Sequence, residues 1–170
     1  MKLISSIIFL IQVLNISTAQ NQFVWDEDEY GISFSISKNY QLEKLKDNQV
    51  SDLWGFESDK IIIEIQWLTY DDESIMYLKD VEYAALEFAL DMDIQSITKG
   101  GTISDQYKSY YVIGKDIYHI SRSDDTYPVI AAVILDDENK LAFEITIDCY
   151  DNNLENGLHV IKSFQYDQPK

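Results

Sequence analysis

Residues 128–150 constrain the fold more than any other stretch of this chain. Seven apolar residues run from Val129 to Leu135, the polar tetrad Asp136-Asp137-Glu138-Asn139 follows, and then Leu141, Phe143, Ile145, Ile147 and Cys149 alternate with Ala142, Glu144, Thr146 and Asp148. Alternation with a period of two is the pattern of a half-buried strand. An unbroken apolar run bounded by turn residues is that of a strand covered on both faces. Together they predict a β-hairpin in the interior of a sheet.

Other segments repeat the strand period. They lie at 22–26 and at 30–36, where Tyr30, Ile32, Phe34 and Ile36 point inward. They recur at 53–57 and 60–69, joined about Ser58-Asp59, with Ile61, Ile63, Ile65 and Trp67 on one face. Segments 107–113 and 116–123 flank Gly114-Lys115, read as a two-residue turn with glycine first, which would pair Tyr111 with Tyr118 and Tyr110 with His119. A short helical turn is expected about Leu42 and Leu45. Leu78, Val81, Ala85, Phe88 and Met92 recur at spacings of three and four, which predicts a helix over 74–94. Asp71 or Asp72 would cap it and Gly100-Gly101 would stop it, while Ala84, Ala85 and Ala89 let it lie close to a sheet. A closing helix carries Leu154, Leu158 and Ile161, capped by Asp151 or Asn152, with Gly157 weakening its middle by roughly 1 kcal/mol relative to alanine. The class is α+β: an antiparallel sheet of about six strands built from hairpins, with a long mid-chain helix and a C-terminal helix packed on it.

Residues 1–19 have the layout of a cleavable secretory signal, with Lys2, an apolar run over 7–14 and small residues at Ser17 and Ala19. That run is far shorter than the roughly 20 apolar residues of a spanning helix, so no membrane insertion is expected after cleavage. Residues 20–170 would form one domain, secreted or periplasmic. Removing Lys2 leaves 12 basic against 30 acidic residues. Such a charge repels nucleic acid and anionic lipid, keeps the chain soluble, and favours a basic partner where there is one. Cys149 is the single cysteine, so the fold stands without an internal disulfide.

The opening Tyr30-Gly31-Ile32-Ser33-Phe34-Ser35-Ile36, the helix around 84–88 and the closing Ile161-Lys162-Ser163-Phe164 resemble the PsbP-like family, which includes bacterial DcrB-like exported proteins. The resemblance covers nearly all of residues 20–170. It implies an antiparallel sheet sandwiched by helices and a family whose members mostly bind other proteins. It carries no catalytic residue across.

Motifs of reaction chemistry are sparse. His119, His159 and Cys149 are the only histidines and cysteine, and Cys149 sits on the apolar register of its strand, where a thiol is buried and inert. Gly31-Ile32-Ser33-Phe34-Ser35 lacks the final glycine of a nucleophile elbow. Asp26-Glu27-Asp28-Glu29-Tyr30-Gly31 begins like a calcium loop but has Tyr30 at its fifth position and Ser37 at its twelfth. Asp71-Asp72-Glu73 and Asp136-Asp137-Glu138 read as a helix start and a solvated turn, with weak cation binding as the alternative. No cofactor is indicated.

The expectation is a non-catalytic exported module that binds another protein. Tyr110, Tyr118, Tyr127 and Tyr150, with Trp25, are its candidate contact residues, chosen as rings expected to reach the surface. Two alternatives stay open: a hydrolase using carboxylates or Cys149 with a histidine, and an acidic inhibitor or immunity-type protein directed at a basic enzyme.

Overall fold

The computed structural model describes residues 22–27, 29–44, 53–70, 80–116, 126–150 and 152–167. The chain is α+β. Its strands are β1 (Gln22–Glu27), β2 (Ile32–Ser37), β3 (Glu43–Lys44), β4 (Leu53–Glu57), β5 (Ile61–Thr69), β6 (Gln95–Gly101), β7 (Lys108–Lys115), β8 (Pro128–Asp136), β9 (Leu141–Cys149) and β10 (Gln165–Tyr166). Helix α1 spans Val81–Asp91 and α2 spans Leu154–Ile161. Among the described residues the strands form two antiparallel sheets. A seven-stranded sheet has the order β3-β4-β5-β9-β8-β7-β6, and a three-stranded sheet has the order β1-β2-β10. The expectation of one sheet of about six strands is corrected accordingly. Hydrophobic period shows that a segment is a strand, but which strands share hydrogen bonds is a matter of long-range pairing.

The 128–150 hairpin forms as its pattern dictates. Ile134 faces Phe143 and Ala132 faces Ile145 across β8 and β9. Every residue of β8 from Val129 to Asp136 is buried, because both of its faces are covered. On one face Ile130, Ala132 and Ile134 join Ile63, Ile65, Phe143, Ile145 and Ile147, under the small sheet and α2. On the other, Val129, Ala131, Val133 and Leu135 meet Ala84, Ala85 and Ala89 of α1. The 53–69 hairpin also forms, with β5 then pairing along its whole length with β9.

The expected Gly114-Lys115 hairpin does not exist. Both residues are strand residues at the C-terminal end of β7, where Gly114 pairs with Val129 and Lys115 with Pro128, and Tyr111 faces Ala132. The other side of β7 is taken by β6, a strand too polar and glycine-rich to show the period, which pairs Gly101 with Tyr111. Tyr118 and His119 lie outside the described residues.

The first helix differs from its expected form at both ends. Asp80 has extended backbone and its carboxylate accepts from the amides of Glu82 and Tyr83, at 3.0 and 3.4 Å, so α1 begins at Val81. Asp71 and Asp72 lie outside the described residues. The helix ends far ahead of Gly100-Gly101, both of which belong to β6. Asp93 takes the left-handed conformation at φ 55°. The Asp93 amide donates to the Leu90 carbonyl and the Ile94 amide to the Ala89 carbonyl, each at 3.0 Å. That is a Schellman ending, built on aspartate instead of glycine.

Other local expectations shift by a few residues. A 3-10 turn forms at Lys38–Tyr40; Leu42 leads directly into β3 and Leu45 lies outside the described residues. Asn153, not Asp151 or Asn152, caps α2 by accepting from the Asn156 amide at 3.3 Å. Ser163 then ties the end of α2 to the small sheet, because its hydroxyl accepts from the Ser35 amide at 3.0 Å and lies 2.7 Å from the Ser35 carbonyl. Phe164 stacks on Phe34 with centroids 5.1 Å apart.

Candidate interaction site

Helix α1 connects β5 to β6, which lies at the edge of the large sheet, and on its way crosses the outer faces of β8 and β7. Three alanines set the distance of closest approach: Ala84, Ala85 and Ala89 are buried against Ala131 and Val133. A helix held that low leaves a groove beside it. The groove encloses about 240 Å³ and is lined by Glu82 and Leu86 of α1, Ile97 and Thr98 of β6, and Tyr110 and Val112 of β7. On the solvent side of α1, Tyr83 is 44% exposed, Leu86 36% and Leu90 51%, and Met92 just beyond the helix is 48% exposed. Met92 was expected within the buried stripe. The short helix and its Schellman turn rotate it outward.

A second group lies on the same face, at the far end of β8 and β9. The Tyr127 hydroxyl donates to Asp116 Oδ2 at 2.6 Å, and the Tyr127 and Tyr150 rings meet edge to face with centroids 4.5 Å apart. Nearby Asp148 is held up at about 7, first by burial and then by the charges of Glu64 and Asp116. Burial and Asp91 likewise raise the Glu144 carboxyl. Bringing acids together on a partly covered sheet face makes ionisation of each one costlier for the next.

A third feature is a polar cleft of about 420 Å³, bordered by Tyr107, Lys108, Asp136, Asp137 and Tyr166. Asp136 is only 1% exposed. Its Oδ1 accepts from the amides of Glu138 and Asn139, at 2.9 and 3.1 Å, and its Oδ2 accepts from the Asn139 side chain at 2.8 Å and from the Tyr166 hydroxyl. Burial pushes this carboxyl up, but the hydrogen bonds outweigh it and leave it below the ordinary carboxylate value. Tyr70 donates to the Asp136 carbonyl at 3.1 Å, and burial with Asp137 raises its phenol to about 12. Lys108 pairs with Asp137. The acids of this turn close the β8–β9 hairpin, and the expectation of a wholly solvated turn is corrected at Asp136.

The candidate contact residues are therefore scattered. Tyr110 is 7% exposed and forms the floor of the α1 groove, and Tyr127 is 6% exposed beside the half-buried Tyr150. Trp25 points into the opposite core, within 5.7 Å of the rings of Phe34, Trp54 and Phe56. Exposure of these rings was expected because tyrosine falls on both registers of its strands. The structure instead buries both registers, one under α1 and the other under the small sheet. Tyr118 lies outside the described residues. Sequence reasoning placed no contact at Leu86 or Leu90, although the spacing of Tyr83, Leu86 and Leu90 by three and four residues was available as a second stripe on the helix.

Cys149 is 1% exposed beneath α2, whereas His159 is on the exposed side of that helix. Among the described residues no group of three or more histidine, cysteine or acidic side chains is arranged to hold a metal ion. No described helix is long and apolar enough to cross a membrane.

No family model matches the chain, and no curated protein does. A crystal structure from Bacteroides thetaiotaomicron VPI-5482 is similar in fold, with a TM-score of 0.52 at 13% identity. The match covers 87% of this chain and 48% of that one, so the chain spans about half the length of that structure. At that identity the likeness concerns the fold alone.

Proposed function

We propose that this chain is an exported, non-catalytic module that docks another protein on the outer face of α1. The observation that carries the proposal is the exposed apolar stripe of Tyr83, Leu86 and Leu90 on α1, with Leu86 lining a formed groove. Large apolar side chains exposed side by side beside a concavity mark interaction surfaces more often than scattered ones do. The signal-like segment at 1–19 and the resemblance to PsbP-like and DcrB-like exported proteins support the same reading. In it, cleavage follows Ala19 and the protein works in the periplasm or outside the cell. Burial of Cys149 supports this reading over a thiol hydrolase, and His119, the other histidine of that alternative, lies outside the described residues.

The test places a photo-crosslinking residue at Leu90 in the full chain and, for comparison, at Lys162. A discrete crosslinked protein expected at position 90, absent at 162 and lost in Leu86→Ser, supports the reading. Equal products at both positions overturn it. For the enzyme alternative, wild type and Cys149→Ser are compared on peptide, ester and glycoside substrates, and activity that disappears in the variant would replace this proposal.

A further inference from the structure

We infer that the occupant of the α1 groove is an amphipathic helix with Lys or Arg flanking its apolar stripe. The inference rests on the docking proposal above and adds the chemistry of the partner.

Backbone geometry first separates a helical partner from an extended one. Strand β6 is the edge of the large sheet, where a peptide could add as a further strand. Its ladder with β7 shifts register between Gln95 and Thr98 and again between Thr98 and Gly101, and Ser96 takes φ 52°. Bulges that twist an edge strand in this way remove the flat row of donors and acceptors that strand addition needs. The apolar groups on offer are instead side chains spaced three and four along a helix, Tyr83, Leu86 and Leu90, with the groove alongside. Two helices pack by laying such ridges into each other's grooves. The groove, of about 240 Å³, can take a large apolar anchor from such a helix.

Charge then selects the flanks. Between positions 80 and 94 the sequence holds Asp80, Glu82, Glu87, Asp91 and Asp93 and neither lysine nor arginine. Glu82, Asp91 and Asp93 are exposed around the stripe. The C-terminal end of α1 has no basic residue in its last turn, so the negative pole of the helix dipole coincides with Asp91 and Asp93, with Glu144 close by. A second copy of this chain would oppose like-charged rims across its two-fold axis, which costs association energy. Anionic lipid is repelled for the same reason. A cationic helix satisfies the apolar stripe and the acidic residues along α1 at once.

The experiment uses the full chain and three labelled peptides of about five helical turns. They share one leucine stripe, and their flanks are all Lys, all Gln or all Glu. The Lys peptide is expected to bind at least tenfold more tightly than the Gln peptide, and the Glu peptide not at all. Leu86→Ser and Leu90→Ser each weaken the Lys peptide by roughly tenfold. Raising salt from about 50 to about 500 mM weakens it further. Equal binding of all three peptides, or Lys-peptide binding unchanged in both serine variants, overturns the inference. So does self-association that is lost in Leu90→Ser, since a second copy would then be the occupant. If crosslinking at Leu90 succeeds while no peptide binds, the docking proposal stands and the cationic-helix inference fails. Failure of both removes the docking proposal as well.

Discussion

A glycine in mid-helix is usually a weakness, and at Gly157 the local cost is repaid by packing. A Cβ there would lie 2.5 Å from Cys149 Sγ and 3.0 Å from the Ile130 Cδ1, so only glycine lets α2 sit this close to β8 and β9. Gly157→Ala gains about 1 kcal/mol of helix propensity but overpacks the core, and a net loss of about 1–2 kcal/mol is expected in urea unfolding. Cys149→Ala should recover part of that loss in the double variant, since it removes the nearest atom. Gly31 is constrained differently: with φ at 65° its Cβ would fall 1.8 Å from the Asp167 carbonyl oxygen, where β10 joins β2. The buried carboxyl of Asp148, raised to about 7 by burial and by Glu64 and Asp116, sets a pH dependence. At pH 5 the folded chain keeps a proton there that the unfolded chain, with its carboxyl near about 3.9, has lost. More protons bound in the folded state means that stability falls as pH rises from about 4 to about 7 and then levels, with a slope no steeper than about 1.4 kcal/mol per unit. Asp148→Asn flattens that limb in urea titrations at a series of pH values. Asp136 has the opposite sign, because its lowered carboxyl withdraws stability only as pH falls through its folded value.

The two helices show how an element is ended by contacts that its own propensity does not reveal. Asp93 holds the left-handed position of the α1 ending and adds a negative charge at the negative end of the helix. Both effects disfavour aspartate, so Asp93→Gly is expected to stabilise the chain by about 1 kcal/mol in thermal or urea unfolding. The inner face of α1 behaves differently from the outer one. Ala85 is fully buried, so Ala85→Leu forces the helix off the sheet and costs about 1–3 kcal/mol. Leu86→Ser and Leu90→Ser remove exposed side chains and should change stability by no more than about 0.5 kcal/mol each. Those two variants can therefore report on docking without confounding it with folding. At the β8–β9 turn, Asp136→Ala leaves the Tyr166 hydroxyl and two amides without their acceptor, a loss of about 2–4 kcal/mol. Tyr166→Phe combined with it should be clearly non-additive.

Across the whole molecule, the pairing of β5 with β9 joins segments on either side of the α1 to β8 stretch, and Ile65 faces Ile145 there. That contact closes a long loop before it is rewarded, so slow folding and a late, cooperative sheet are expected. Amide exchange should be slowest in β5, β8 and β9, which are paired on both sides and covered by buried side chains, and fastest in β3 and β6 at the two edges. If β6 exchanged as slowly as β8, its assignment as an edge would be wrong. The sequence by itself determined the strands whose side chains report their own surroundings: β2, β4, β5, β8 and β9, with the α+β class and the existence of two helices, since periods of two and near 3.6 are written locally. It also marked Tyr110 as worth following, though not as the floor of a groove. The tertiary structure alone decided that Gly114 runs inside a strand, that β6 exists, that α1 starts at Val81 behind the Asp80 cap and that there are two sheets. It likewise decided that Tyr110 and Tyr127 are buried while Leu86 and Leu90 are not. Those outcomes depend on which element covers which face, and coverage arises between segments distant in sequence, where no local period records it.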